Sequence, residues 1–166
     1  MKVIINLADK KYSYSNKLVV DIINKLSSYF GVCDHYEIAV HFSSEAVVRK
    51  LNGEYRGQNK ATDVLSFPLE EAVDIKKRNF KPQMPLLLGD IFLCPDYILK
   101  NNVIKGGSSL RYETAYLLIH GFMHLIGYGH TPDGYAGSKM FKDAEKFIES
   151  QIGPMNISSL IKVKRR

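Results

Sequence analysis

The stretch Tyr112–Ile126 is apolar almost all round its helical circumference, and Gly127 follows it. A helix without a polar face has to be buried, so the rest of the chain must supply layers that cover it. Among the polar side chains that interrupt this surface are His120 and His124, four residues apart and therefore stacked on one face. Gly127 takes a left-handed conformation at little cost and ends the helix abruptly. The chain then turns, and His130 comes back toward the first two histidines.

The flanking segments are short and mixed. Lys2–Leu7 reads as a strand, and Ser15–Phe30 as an amphipathic helix stopped by Gly31. Tyr36–Phe42 alternates as a strand does, with Ile38, Val40 and Phe42 on one face. Ser43 or Ser44 caps a helix through Val47, Val48 and Leu51 that Gly53 is expected to end. Asp63–Phe67 and Leu86–Leu93 are strand-like, Asp96–Asn101 forms a short helix, and Asp133–Ile152 reads as a final amphipathic helix. The polar stretch from Glu70 to Pro85 reads as a long exposed connection, a kind that usually carries function. These elements predict an α+β fold: a small single domain with a mixed, roughly four-stranded sheet packed against helices. The expected division is a catalytic metallohydrolase domain over residues 1–153 and a basic C-terminal tail over 154–166.

Composition excludes several classes. With 45% hydrophobic and 24% charged residues in 166, the bulk of the chain is neither disordered nor too small for a core. No apolar run approaches the ~18 residues of a membrane span, and Met1–Asn6 lacks the long apolar core of a signal peptide. Cys33 and Cys94, far apart in the chain, do not read as a disulfide framework. A cytoplasmic protein without a membrane partner is expected. Lys162, Lys164, Arg165 and Arg166 account for most of the net charge of +6, so charge alone is a weak pointer to an acidic partner.

The histidines carry the chemistry. His120, His124 and His130 converging on one ion leave a fourth tetrahedral position for water, the mark of a catalytic zinc. The other two, His35 and His41, lie singly near a predicted strand and read as structural. The spacing His-x3-His-x2-Gly-x2-His is that of metzincin proteases, in which a Glu after the first His is the general base. Gly121 stands there instead, with no side chain to take a proton, which argues against an atypical metallopeptidase.

The run His120–His130 resembles the motif of the YbeY endoribonuclease family, His-Gly-x-Leu-His-Leu-x-Gly-Tyr-Asp-His. Two further stretches match in the family's order: Leu51-Asn52-x-x-Tyr55-Arg56 followed by Ala61-Thr62-Asp63-Val64-Leu65-Ser66-Phe67-Pro68, and Leu88-Gly89-Asp90-Ile91. The resemblance implies a zinc-dependent, single-strand-specific endoribonuclease acting in 3′-end maturation of small-subunit (16S) ribosomal RNA and in ribosome quality control. It implies His120, His124 and His130 as ligands of one Zn²⁺ per chain, and Arg56 as a catalytic residue. A guanidinium suits a phosphodiester because it stays charged and grips two oxygens at once. The implied partners are single-stranded or ribosomal RNA and the small ribosomal subunit with its proteins. Lys76, Lys77, Arg78 and Lys81 would track the RNA backbone. Asp63 and Ser66 suit either hydrogen bonding to ligands or substrate, or strand packing and turn formation. The chain departs from the family's pattern at Gly129, where Asp is usual, and Asp133 is a candidate replacement. Tyr116, one turn before His120, either reaches the site or packs in the core. The alternative function is a non-catalytic ribosome assembly factor with a structural metal.

Overall fold

The computed structural model describes residues 1–8, 10–32, 34–69, 85–101, 109–129, 138–153 and 155–164. In chain order these form β1 (Lys2–Leu7), β2 (Tyr12–Tyr14), α1 (Asn16–Phe30), β3 (Tyr36–Phe42), α2 (Glu45–Arg56), β4 (Val64–Pro68) and β5 (Leu86–Leu93). There follow α3 (Pro95–Asn101), α4 (Leu110–Leu125), α5 (Lys139–Phe147), a π-helical turn over Ile148–Ile152, and β6 (Ile161–Val163).

Four strands make a mixed sheet in the order β1-β3-β5-β4. β1, β3 and β5 run parallel, and β4 pairs antiparallel to β5 as an edge strand. A small antiparallel ribbon joins β2 to β6, with Ser13 opposite Lys162. The α+β expectation with a mixed four-stranded sheet holds.

The alternation in β3 is realised: Tyr36, Ile38, Val40 and Phe42 are fully buried, and the residues between them are only partly covered. Their face, with Leu88, Ile91 and Leu93 of β5, meets α1 and α4 in the main core. Each such side chain contributes about 1.5–3 kcal/mol on full burial, so this layer dominates stability. α2 covers the opposite face, where Val48 packs with Leu65 and Cys94 and is flanked by Leu51, Phe67 and Phe92. α2 and α4 therefore lie on opposite sides of the β4 edge.

Local signals set the helix ends. Ser15 caps α1 by accepting from the Leu18 N–H, and Gly31 at φ 68° closes it. Ser109 and Ser138 cap α4 and α5 the same way. Some boundaries differ from expectation. α2 runs through Gly53 and stops at Gly57, because Gly57 (φ 67°) takes the left-handed cap while Gly53 stays helical. β4 begins one residue late, since Asp63 turns the chain by accepting from the Val64 N–H. Of the final helix expected over 133–152, the part from residue 138 on is described, and it ends as a π-helical turn.

The segment after residue 153, read as a tail, contributes to the fold. Leu160 is fully buried and Ile161 nearly so, and the Ser15 N–H donates to the Leu160 carbonyl. Two apolar residues before the basic end are enough to anchor it. Among the described residues no helix is long and apolar enough to cross a membrane.

Candidate metal centre

Two glycines bring α4 down onto the sheet. A Cβ at Gly121 would stand 2.9 Å from Ile91 Cγ2 and 3.3 Å from Ser66 Oγ. A Cβ at Gly89 would meet the Phe67 carbonyl oxygen and lie 2.9 Å from Leu125 Cδ2, and Gly89 holds φ at 147°, a conformation that favours glycine. Gly89 also follows a register shift between β3 and β5, where Glu37 faces Leu87 and Ile38 faces Gly89. The helix is therefore seated tightly along the side that bears Gly121.

The end of α4 is a Schellman motif. The Tyr128 N–H donates to the Met123 carbonyl and the Gly127 N–H to the His124 carbonyl, each at 3.0 Å, with Gly127 at φ 92°. This turn folds the chain back so that the Tyr128 carbonyl accepts from His124 Nδ1 at 2.8 Å. A carbonyl only accepts, so Nδ1 carries the proton and the neutral ring offers its lone pair at Nε2. That Nε2 lies 3.0 Å from Nε2 of His120, with the two rings edge to face.

Tyr128 is itself held from two sides. Its hydroxyl donates to Asp143 Oδ2 at 2.9 Å, Lys139 pairs with the same carboxylate oxygen at 3.3 Å, and the Lys139 ammonium sits 5.1 Å from the ring centroid. Phe30 of α1 meets the ring edge-on at 5.9 Å. Burial, and then the bond to Asp143, push the Tyr128 hydroxyl pKa up. The Asp143 carboxylate, followed by Tyr128, raises that of Lys139. Neither Tyr128 nor Asp143 stood out in the sequence as a site residue. Gly127 signals the helix stop, but only the turn geometry shows that the next carbonyl reaches back to His124.

Of the candidate residues, His120 and His124 are brought together. His130, the loop residues Lys76, Lys77, Arg78 and Lys81, and Asp133 lie outside the described residues. Among the described residues no three His, Cys, Asp or Glu side chains are grouped to hold an ion. Arg56 is the last residue of α2, exposed, where its charge complements the helix dipole. The motif around it has a visible purpose: buried Asn52 donates to the Lys60 carbonyl at 2.8 Å and accepts from the Gln58 N–H, which fixes the turn beyond Arg56. Asp63 accepts from Thr62 Oγ1 as well as from Val64, so it forms the turn. Ser66 lies under Gly121, and Tyr116 packs partly buried against the core. Gly129 is exposed, and among the described residues a Cβ there would meet nothing within 4 Å.

His41 lies on the sheet face away from the main core and is tied to neighbouring strands. Its Nδ1 accepts from Asn6 Nδ2 at 3.2 Å, its Nε2 donates to Asp90 Oδ1 at 2.7 Å, and its ring stacks on Phe92 at 4.1 Å. His41 thus supports the sheet, whereas the α4 pair brings two ring nitrogens together. Two nitrogens at about 2.0–2.1 Å from one tetrahedral zinc would be roughly 3.3 Å apart, close to the 3.0 Å observed. The fixed Nδ1–H of His124 is the outer contact that zinc-ligating histidines make. The residues present fit the ion.

The sequence model of the family described as Endoribonuclease YbeY matches residues 4–151. An Endoribonuclease YbeY of Oenococcus oeni is 34% identical over 149 residues, covering 88% of this chain and 94% of the relative. That of Bacillus subtilis is 33% identical over 133 residues, covering 78% and 84%. The solution structure of a Thermotoga maritima protein superposes with a TM-score of 0.54 at 28% identity, over 89% of this chain and 87% of the other. A match over nearly the whole fold, including the helix that bears the histidine pair, places this chain in the YbeY endoribonuclease family.

Proposed function

We propose that the chain cleaves single-stranded RNA with one zinc ion held by His120, His124 and His130, in 3′-end maturation of small-subunit (16S) ribosomal RNA and in ribosome quality control. The family supplies the endoribonuclease activity. The observation that carries the metal reading is the approach of the two Nε2 atoms to 3.0 Å, with the His124 tautomer set by the Tyr128 carbonyl. A zinc ion there supplies Lewis-acid chemistry and makes water a stronger acid near neutral pH.

The chain's own groups do the rest. Arg56 grips the scissile phosphate and offsets the charge that builds on it. Arg56 ends α2 and the histidines end α4, on opposite faces of edge strand β4, so an RNA held by both passes along that edge. Gly121 faces Ile91, so no carboxylate at the metzincin base position serves this reaction. Lys76, Lys77, Arg78 and Lys81 contact phosphates without reading sequence, and the small ribosomal subunit with its proteins presents the RNA.

The test is a His124→Ala protein purified free of other nucleases and assayed on single-stranded RNA. Loss of cleavage is the expected result, and wild-type cleavage overturns the mechanism. Arg56→Ala is expected to lower kcat/KM by about 10²-fold or more while zinc content stays unchanged. A precursor of small-subunit rRNA serves as the specificity substrate.

A further inference from the structure

We infer that Asp143 is a positioning residue for the metal centre, acting through Tyr128 to hold the His124 imidazole in the ligand orientation. The inference rests on the zinc reading above. The chain of contacts is continuous: Asp143 Oδ2 accepts from the Tyr128 hydroxyl at 2.9 Å, and the Tyr128 carbonyl accepts from His124 Nδ1 at 2.8 Å. The turn at the end of α4 brings the Tyr128 carbonyl to His124. Three groups on other elements hold the Tyr128 side chain, and through it that turn: Phe30 of α1 against the ring edge, and Lys139 and Asp143 of α5 at the ring face and hydroxyl. Asp143 makes the shortest of these polar contacts, and its carboxylate also holds Lys139 in place. α5 has no other described part in the site. It docks through Met140, Ala144 and Phe147 of the core, and that seat sets Asp143 against Tyr128.

The orientation of the ring is what a metal needs. With Nδ1–H held by a carbonyl, Nε2 is the lone-pair atom and points at His120 Nε2. Losing such an outer contact weakens metal affinity about 10–100-fold.

Asp143→Ala, Tyr128→Phe and Asp143→Asn would be compared with the unaltered chain. Alanine is a good helix former and Phe keeps the ring, so all three variants should fold, as circular dichroism would verify. Two readouts are used: zinc affinity by competition with a chromophoric chelator, and the His124 tautomer from imidazole ¹⁵N shifts of the metal-free protein. Asp143→Ala and Tyr128→Phe are expected to weaken zinc binding at least tenfold and to mix the two tautomers. Asp143→Asn keeps an acceptor oxygen and should stay within about twofold. Unchanged affinity and tautomer in Asp143→Ala overturns the inference, and so does a tenfold loss in Asp143→Asn. If the unaltered chain binds no zinc, the metal reading itself fails. The tautomer comparison, which needs no metal, then decides the Asp143–His124 link by itself.

Discussion

Gly121 rests directly on Ile91: a Cβ at position 121 would lie 2.9 Å from Ile91 Cγ2, so α4 meets the sheet through bare backbone. Position 121 lies about 100° round the helix from His120. In this fold that direction leads into the interface with β4 and β5 rather than toward the histidine pair. The residue that replaces the protease base is therefore a packing requirement. A glutamate there would press its side chain against Ile91.

The two glycines under α4 differ in what a methyl group would meet. Gly89→Ala drives a Cβ against the Phe67 carbonyl and strains a φ of 147°, and is expected to cost more than about 3 kcal/mol. Gly121→Ala meets side chains and gains helix propensity, for a net loss of about 1 kcal/mol. Urea denaturation of the two variants checks the order. Equal losses would contradict the packing argument.

Among the described residues nothing lies within 4 Å of a Cβ at Gly129, and its φ is not positive, so the family's usual Asp meets no described neighbour. Gly129→Asp should unfold at or above the temperature of the unaltered chain. If that Asp orients a neighbouring imidazole, zinc affinity rises about tenfold or more. Chelator competition and a thermal melt on the same sample check both statements.

Metal removal should leave the domain folded. The core consists of apolar side chains from β3, β5, α1 and α4, and both described histidines stand at its margin, only partly buried. A chelator is expected to lower the melting temperature by the linkage term alone, about 2.7 kcal/mol at 100 times the zinc Kd, with cooperative unfolding retained. Loss of the cooperative transition would favour a structural metal and the assembly-factor alternative.

Asp96 at the start of α3 ties the β2–β6 ribbon to the main body, accepting from Tyr12 Oη at 2.8 Å and Lys11 Nζ at 2.7 Å. Burial alone would raise its pKa, but the bonds to Lys11 and Tyr12 outweigh this and hold the carboxyl below its usual range. A lowered folded pKa gives stability that is complete above the unfolded aspartate pKa and is lost as pH falls through the folded one. Asp96→Asn should therefore cost about 1 kcal/mol at pH 7, and less as the pH is taken below about 4. A difference in unfolding free energy that stayed constant down to pH 2 would show that the charge plays no part.

Much of this protein was legible in the chain because the signals are local. The buried helix followed from a nearly unbroken apolar circumference, the strand Tyr36–Phe42 from alternation, and the end of α1 from Gly31. His120 and His124 could be paired because helical periodicity fixes neighbours four residues apart. The ribbon of β2 with β6 was not legible, since strands of three residues carry too little pattern and pair across most of the chain. Gly57 rather than Gly53 ends α2, because either glycine can take a left-handed φ and packing selects between them.

The sequence by itself thus determined which side chains are able to bind an ion. Tertiary structure decided how they are aimed. The close seat of Gly121 on Ile91 sets the roll of α4, and the turn at Gly127 puts the Tyr128 carbonyl on His124. Asp143, on the helix α5 further along the chain, holds that tyrosine in place. The contacts of Gly121 with Ile91 and of Tyr128 with Asp143 join residues far apart in the chain, so they exist only once the layers have packed.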